Sequence, residues 1–296
     1  MPLTPTHQII ASARAAGRGV GAFNVVGIEH AEAIVAGAEA AGAPVVLQIS
    51  ENCVAYHGAL APIGRACLAI AGQAGVPVSV HLDHVSTVEL VEAATGLGLA
   101  SVMYDGSRLP YQDNVRVTAE VTRWCHQRDV WVEAELGEIG GKDGVHAPDA
   151  RTDPGEAARF VAATGVDALA VAVGTSHAML TRDAVLDLGL IASIRDAVGV
   201  PLVLHGSSGV PDLDLVAAVR AGMTKVNIAT QLNRVFTAAV RRTLSAEPAT
   251  VDPRRYGVAG RDAVTPEVAR LLRLLGAGVD SRIRAGGAGE PLSPVE

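Results

Sequence analysis

Eight short runs of apolar, largely β-branched residues recur along the chain, each followed by a polar or glycine-rich turn and then by a stretch whose apolar positions keep helical spacing. The runs are GVGAFNV (19–25), PVVLQIS (44–50), PVSVHLD (77–83), SVMYDG (101–106), VWVEAEL (130–136), ALAVAVG (168–174), PLVLHGS (201–207) and MTKVNIA (223–229). Helical patterns such as IEHAEAIVAGAEAAG and PYQDNVRVTAEVTRWCHQR lie between them, and three runs open directly after a Gly-x-Pro turn. The pattern predicts an α/β fold, a single closed (β/α)8 barrel of the TIM type. A doubly wound open sheet is built from the same unit, but eight units of about 30 residues fit the barrel better. In a barrel the chemistry belongs at the C-terminal ends of the strands.

Two segments depart from the repeat. GEIGGKDGVHAPDART (137–152) follows the fifth strand and reads as a mobile active-site loop. Beyond the last barrel helix a further helix, TPEVARLLRLLGA, forms a C-terminal helical extension. The expected plan is a barrel unit over 1–285 and a disordered tail over 286–296.

Composition narrows the function. A formal charge of −7 and a pI near 5.7 give no basic footprint for nucleic acid. No apolar stretch has the roughly 18 residues needed to span a bilayer, and MPLTPTHQII lacks a signal pattern, so a cytoplasmic location without membrane association is expected. Hydrophobic residues make up 49% and aromatic ones 3%, which predicts an aliphatic core. Cys53, Cys67 and Cys125 are odd in number and widely spaced, and read as reduced, packed thiols.

The candidate chemistry sits where the strands end. His84, His177 and His205 each close an apolar run, so their imidazoles converge on one end of the barrel. Three protein ligands suit a catalytic zinc that keeps one position open, one ion per subunit. In HLDH (81–84) strand alternation puts His81 and Asp83 on one face, with His84 where strand gives way to loop. Asp83 reads as an acid/base beside the metal, and His81 as a hydrogen-bonding core residue. HGSSG (205–209) offers Gly206, Ser207, Ser208 and Gly209 before a helix start, a seat for phosphate. Asn227 shares a strand face with Lys225 and can hold a substrate hydroxyl or carbonyl, while Thr230 completes the cradle or caps the last helix. Asp105, Glu133 and Glu135 would orient the histidines or bind a second cation.

HLDH, MYDGSRLP, VEAELGEIGG, VAVGTSH, LVLHGSSG and TKVNIAT, in this order and spacing, resemble class II metal-dependent ketose-bisphosphate aldolases, particularly the tagatose-bisphosphate branch and its fructose-bisphosphate relatives. The resemblance runs from about residue 3 to 285. It implies zinc-dependent, reversible cleavage of a ketose 1,6-bisphosphate to dihydroxyacetone phosphate and glyceraldehyde 3-phosphate through an enediolate. It further implies zinc on His84, His177 and His205, with Asp83 as proton donor to the aldehyde oxygen. Residues 206–208 and 227–230, including Ile228 and Ala229, would hold dihydroxyacetone phosphate. Relatives carry a glycine after the second histidine, where the backbone meets phosphate or a monovalent cation; here Ala178 stands there. Where relatives place a proton-exchanging glutamate past the double glycine, this chain has GGKDG, with Asp143 the nearest carboxylate. SENCVAYHG (50–58) also departs from many relatives at a wall of the pocket.

Alternatives follow from the same residues. A lysine Schiff base would fall on Lys225, one of two lysines with Lys142, but would leave the three histidines unexplained. A metal-dependent hydrolase on this barrel would carry an HxH pair on the first strand, and GAFNV has none. A non-catalytic subunit would have lost metal ligands. Another phosphorylated keto sugar, or a deoxy-keto acid phosphate of inositol breakdown, is an alternative substrate. The expected assembly is a homodimer or homotetramer.

Overall fold

The computed structural model describes residues 3–136, 151–175 and 181–276. Eight parallel strands close into a barrel in chain order. They are β1 (Val20–Asn24), β2 (Val45–Ser50), β3 (Val78–Val85), β4 (Ser101–Tyr104), β5 (Trp131–Glu135), β6 (Ala168–Ala170), β7 (Leu202–Leu204) and β8 (Met223–Ile228). β8 pairs back onto β1 with Val20 opposite Lys225 and Ala22 opposite Asn227. Every predicted strand is present, and the closed order excludes the doubly wound sheet. β6 and β7 are shorter than the apolar runs, whose ends leave the ladder as mouth loops through Gly174 and Gly206, both at positive φ.

Eleven helices occur among the described residues: α1 (Thr6–Ala15), α2 (Ile28–Ala41), α3 (Glu51–His57), α4 (Leu60–Gln73), α5 (Val88–Leu97), α6 (Tyr111–His126), α7 (Pro154–Thr164), α8 (Leu188–Ala197), α9 (Asp212–Ala221), α10 (Thr230–Ala246) and α11 (Pro253–Gly276). Local chemistry sets their ends: Ser50, Asp153 and Asp187 accept from the backbone N–H three residues on, and α2 stops at left-handed Gly42. α1 closes the N-terminal end of the barrel, where Ile9, Ile10 and Ala13 pack with Val20, Val46, Met103 and Trp131. The C-terminal extension is longer than its apolar pattern suggests, because α11 begins at Pro253 and runs through Pro266. It lies close against α2 and α10: a methyl on Gly37 would fall 2.6 Å from Val268 Cβ, and one on Gly260 would fall 2.5 Å from the Phe236 ring.

Strand alternation divides the sheet into two environments. Val78, Val80, Leu82, Val102, Val132, Leu202, Leu204 and Val226 face outward into the helix layer and are fully or almost fully buried there. The inward positions turn polar toward the mouth. Thr6 Oγ1 lies 2.5 Å from Ser79 Oγ and 2.6 Å from Ser101 Oγ, and above them Gln48, His81, Glu133 and Lys225 are buried. The barrel therefore has an aliphatic jacket and a charged, hydrogen-bonded axis. No single helix among the described residues is long and apolar enough to cross a membrane. The glycine-rich loop after β5 (residues 137–150) and the tail 286–296 lie outside the described residues, as does the expected boundary at 285.

Candidate active site

The site is built around an irregularity in β3. The β3–β4 register shifts between Leu82 and Val85, and His84 takes a left-handed backbone, φ +52°. The strand thus continues through His84 to Val85 rather than giving way to loop before it. Regular alternation would send His84 away from the face Asp83 occupies; the bulge turns both to the mouth. His205 follows β7 directly and its ring centroid lies 4.6 Å from that of His84. Ligand atoms of Asp83, His84 and His205 all lie within 4.8 Å of one another, and so do those of His84, Asp105 and Glu135.

Each of these groups is held from behind. His84 Nδ1 is 2.8 Å from Asp105 Oδ2, whose other oxygen accepts from the Ser107 hydroxyl at 2.6 Å. That arrangement orients the imidazole, with Nδ1 turned to Asp105. Asp83 Oδ2 accepts from Asn24 Nδ2 at 3.0 Å, and Asn24 Oδ1 in turn accepts from Gln48 Nε2 at 3.2 Å. Asp83 Oδ1 is buried and has no hydrogen-bond partner among the described residues. Burial alone would raise the Asp83 carboxyl, but His84, Lys225 and His205 together hold it below its ordinary value. His205 Nε2 lies 3.2 Å from Glu133 Oε1 and Nδ1 lies 3.4 Å from Glu135 Oε2. Burial opposes a charged imidazole there, yet hydrogen bonds to Glu133 and Glu135 push it up to about 9. Burial, with Lys225 nearby, pushes His81 down to about 3; its Nδ1 sits 2.8 Å from Ser101 Oγ, the core role expected of it.

Imidazole nitrogens and carboxylate oxygens crowded at this spacing are the donor set of a divalent cation. The fit is electrostatic as well: besides Glu133, which Lys225 balances, Glu135, Asp105 and Asp83 lie about two imidazoles, carboxylate charge that a cation would balance.

The phosphate-seat residues come together beside this cluster. Gly206 takes φ +65°, a conformation that favours glycine, and Ser207–Gly209 form one turn of 3-10 helix. Both serine hydroxyls make a bond within the protein. Ser207 Oγ donates to the backbone carbonyl of Asn227, and Ser208 Oγ accepts from Gln231 N at 3.2 Å. They staple the β7 loop to the end of β8. Thr230 is not a helix cap: Ala229 occupies that position, and Thr230 is already the first residue of α10. Its neighbour's N–H is satisfied from the β7 loop by Ser208. Ile228 faces the outer jacket, so its backbone alone borders the mouth. Asn227 points inward with Lys225, whose Nζ reaches Asn227 Oδ1 at 2.9 Å. His177, Ala178 and Asp143 lie outside the described residues.

Sequence patterning missed Asn24 and Gln48. Their signal is a polar residue at an inward position near the end of an otherwise apolar run, in GAFNV and VVLQIS.

The model of the family "fructose-bisphosphate aldolase class-II" matches residues 4–278. The chain belongs to the class II fructose-bisphosphate aldolase family. Among solved structures, this class II aldolase is 30% identical to the YdjI aldolase from Escherichia coli K12, over 95% of this chain and 100% of that one, with a TM-score of 0.82. The fructose-bisphosphate aldolase (Fba) from Campylobacter jejuni shares the fold at 22% identity, over 92% and 94% of the two chains, with a TM-score of 0.76. The class II aldolase is thus a carbon–carbon lyase on a TIM barrel, in a generally metal-dependent family whose substrates are phosphorylated sugars.

Proposed function

We propose that this aldolase reversibly cleaves a ketose 1,6-bisphosphate, of fructose or tagatose, to dihydroxyacetone phosphate and glyceraldehyde 3-phosphate. The observation that carries the reading is the β3 bulge, which puts a carboxylate and an imidazole side by side at the mouth, facing His205 across it. His84 and His205, joined by His177, would hold one zinc ion. Nitrogen-rich coordination with an open position favours zinc over magnesium or calcium, which prefer all-oxygen sites. When bound, such an ion acts as a Lewis acid that spreads the negative charge left next to the substrate carbonyl as the carbon–carbon bond breaks.

The chain's own groups would do the rest. Asp83 Oδ1 takes the C4 hydroxyl proton as the C3–C4 bond opens, and returns it to the aldehyde oxygen in condensation. A carboxyl held below its ordinary value is ionised and ready for the first of these steps. Asn24 and Gln48 keep the other Asp83 oxygen occupied, so the reactive one faces the mouth. Asn227 donates to an oxygen of the three-carbon half, and the Gly206–Ser208 turn with residues 228–230 seats its phosphate through backbone N–H groups. Asp143 is the carboxylate assigned to proton return at C3, and Asp105 and Glu135 the groups that orient the metal histidines. A cytoplasmic setting is consistent with Cys53, Cys67 and Cys125, all free, buried thiols.

The test is cleavage of fructose and tagatose 1,6-bisphosphates by the zinc-loaded protein, alongside Asp83→Ala. The variant is expected to lose roughly 10²–10⁴-fold in turnover while keeping its metal. Loss of zinc in Asp83→Ala would make Asp83 a ligand rather than the acid/base, and cleavage of neither sugar by the parent would overturn the reading.

A further inference from the structure

Lys225 is the residue that the chemistry above leaves unused. Its side chain is fully buried on the barrel axis, Nζ 2.8 Å from Glu133 Oε2 and donating to Asn227 Oδ1 at 2.9 Å. A buried ammonium is costly unless paired and hydrogen-bonded, and here both partners lead into the active site. A Schiff base at this position would require an uncharged amine reachable by a substrate carbonyl. Instead the nitrogen is ion-paired with Glu133 and bonded to Asn227, with no exposed surface.

The first partner is Asn227. An ammonium can donate and cannot accept, so it fixes which end of the carboxamide faces it. Oδ1 turns to Lys225, and Nδ2 must point the other way. Nδ2 is buried with no hydrogen-bond partner among the described residues, and the Asn227 carbonyl is taken by Ser207. An unsatisfied buried donor is unfavourable in the ligand-free protein and is explained if a substrate oxygen accepts from it. The second partner is Glu133, whose other oxygen faces His205 Nε2 at 3.2 Å. Holding that carboxylate in place orients the His205 ring from behind.

We propose that Lys225 is the positioning residue of the site: it aims the Asn227 amide donor at a substrate oxygen and locks Glu133 against His205. The inference rests on the aldolase reading. It adds to that reading an assignment for a buried lysine that never touches substrate.

The experiment uses the zinc-loaded full chain and a planar probe, the hydroxamate of phosphoglycolate, which resembles the enediolate of dihydroxyacetone phosphate. Lys225→Met would leave Glu133 as an unpaired buried carboxylate and endanger folding, so it is also made with Glu133→Gln. In the Glu133→Gln background Lys225→Met is expected to weaken probe binding about tenfold. The same replacement should cost under about threefold once Asn227→Ala is present, because coupled residues are not additive. Zinc affinity, read by chelator competition, should fall about 10–100-fold in Lys225→Met, as for loss of a group that supports a metal ligand. A further variant, Asn227→Asp, keeps a partner for Lys225 and so the fold, but removes the donor; it too should lose about tenfold in probe binding. Additive losses, or probe binding by Asn227→Asp equal to the parent's, would overturn the role of Lys225 while leaving the aldolase standing. A parent that neither cleaves the bisphosphates nor binds the probe would remove the aldolase reading and this inference with it.

Discussion

At the scale of single residues, the site is made by one backbone angle. A non-glycine residue at φ +52° costs roughly 1–2 kcal/mol, because its Cβ crowds the following carbonyl. His84 bears that cost, and its hydrogen bond to Asp105 offsets part of it. The consequence is measurable in metal-free protein. His84→Gly should be more stable than His84→Ala by about 1 kcal/mol in urea unfolding, since both lose the imidazole and glycine alone relaxes the angle. Equal stabilities would mean that the bulge stores no backbone strain. Asp83 and His84 as a pair were legible in HLDH, but the device that lets adjacent residues share a face was not. Period-two alternation assigns them to opposite sides, and a bulge has no compositional mark when the residue in it is histidine. Lys225 was legible as inward-facing, whereas its partner Glu133 comes from the other side of the barrel and no local pattern joins them.

At the scale of elements, the C-terminal helix holds the mouth loops through ions. Arg182, just after the segment that follows β6, donates to the Val210 carbonyl at 2.6 Å and pairs with Asp212 at the start of α9. Arg270 on α11 also pairs with Asp212 and with Glu267, which accepts from Gln231 on α10. Burial alone would raise Asp212, and the hydrogen bonds from Arg182 and Arg270 overcome it, holding the carboxyl below its ordinary value of 3.8. The hydrogen bond from Arg270 foremost holds Glu267 below 4.5. A carboxyl whose folded value is depressed adds stability that is present above its unfolded value and lost as pH falls through the folded one. Stability should therefore decline from about pH 5 downward, and Arg270→Leu should flatten that decline, measured by urea unfolding from pH 7 to pH 3. An identical acid profile in the variant would show that these ion pairs are spectators, as exposed pairs often are. The apolar run 265–277 marked part of α11. Its first half carries few apolar residues, and it is held by the close approach of Gly260 to Phe236, a contact that sequence spacing cannot show.

For the whole molecule, the sequence showed the repeat and hence the barrel, because eight apolar runs answer to one physical requirement, burial of the outward strand face under helices. The inward face follows a different rule. It carries Gln48, His81, Asp83, Glu133, Glu135, Lys225 and Asn227, polar residues that disturb the apolar runs and mark the functional axis. Cys67 and Cys125, pushed up to about 12 chiefly by burial, take no part in it. The central claim is that this axis ends in a metal centre that performs the aldol chemistry. It is tested most directly by bisphosphate cleavage assayed before and after exhaustive chelation, with zinc add-back and borohydride treatment in parallel. The account predicts that activity vanishes on chelation, returns with zinc and is indifferent to borohydride. Cleavage that survives chelation and is abolished by borohydride would place the chemistry on a lysine imine and contradict it.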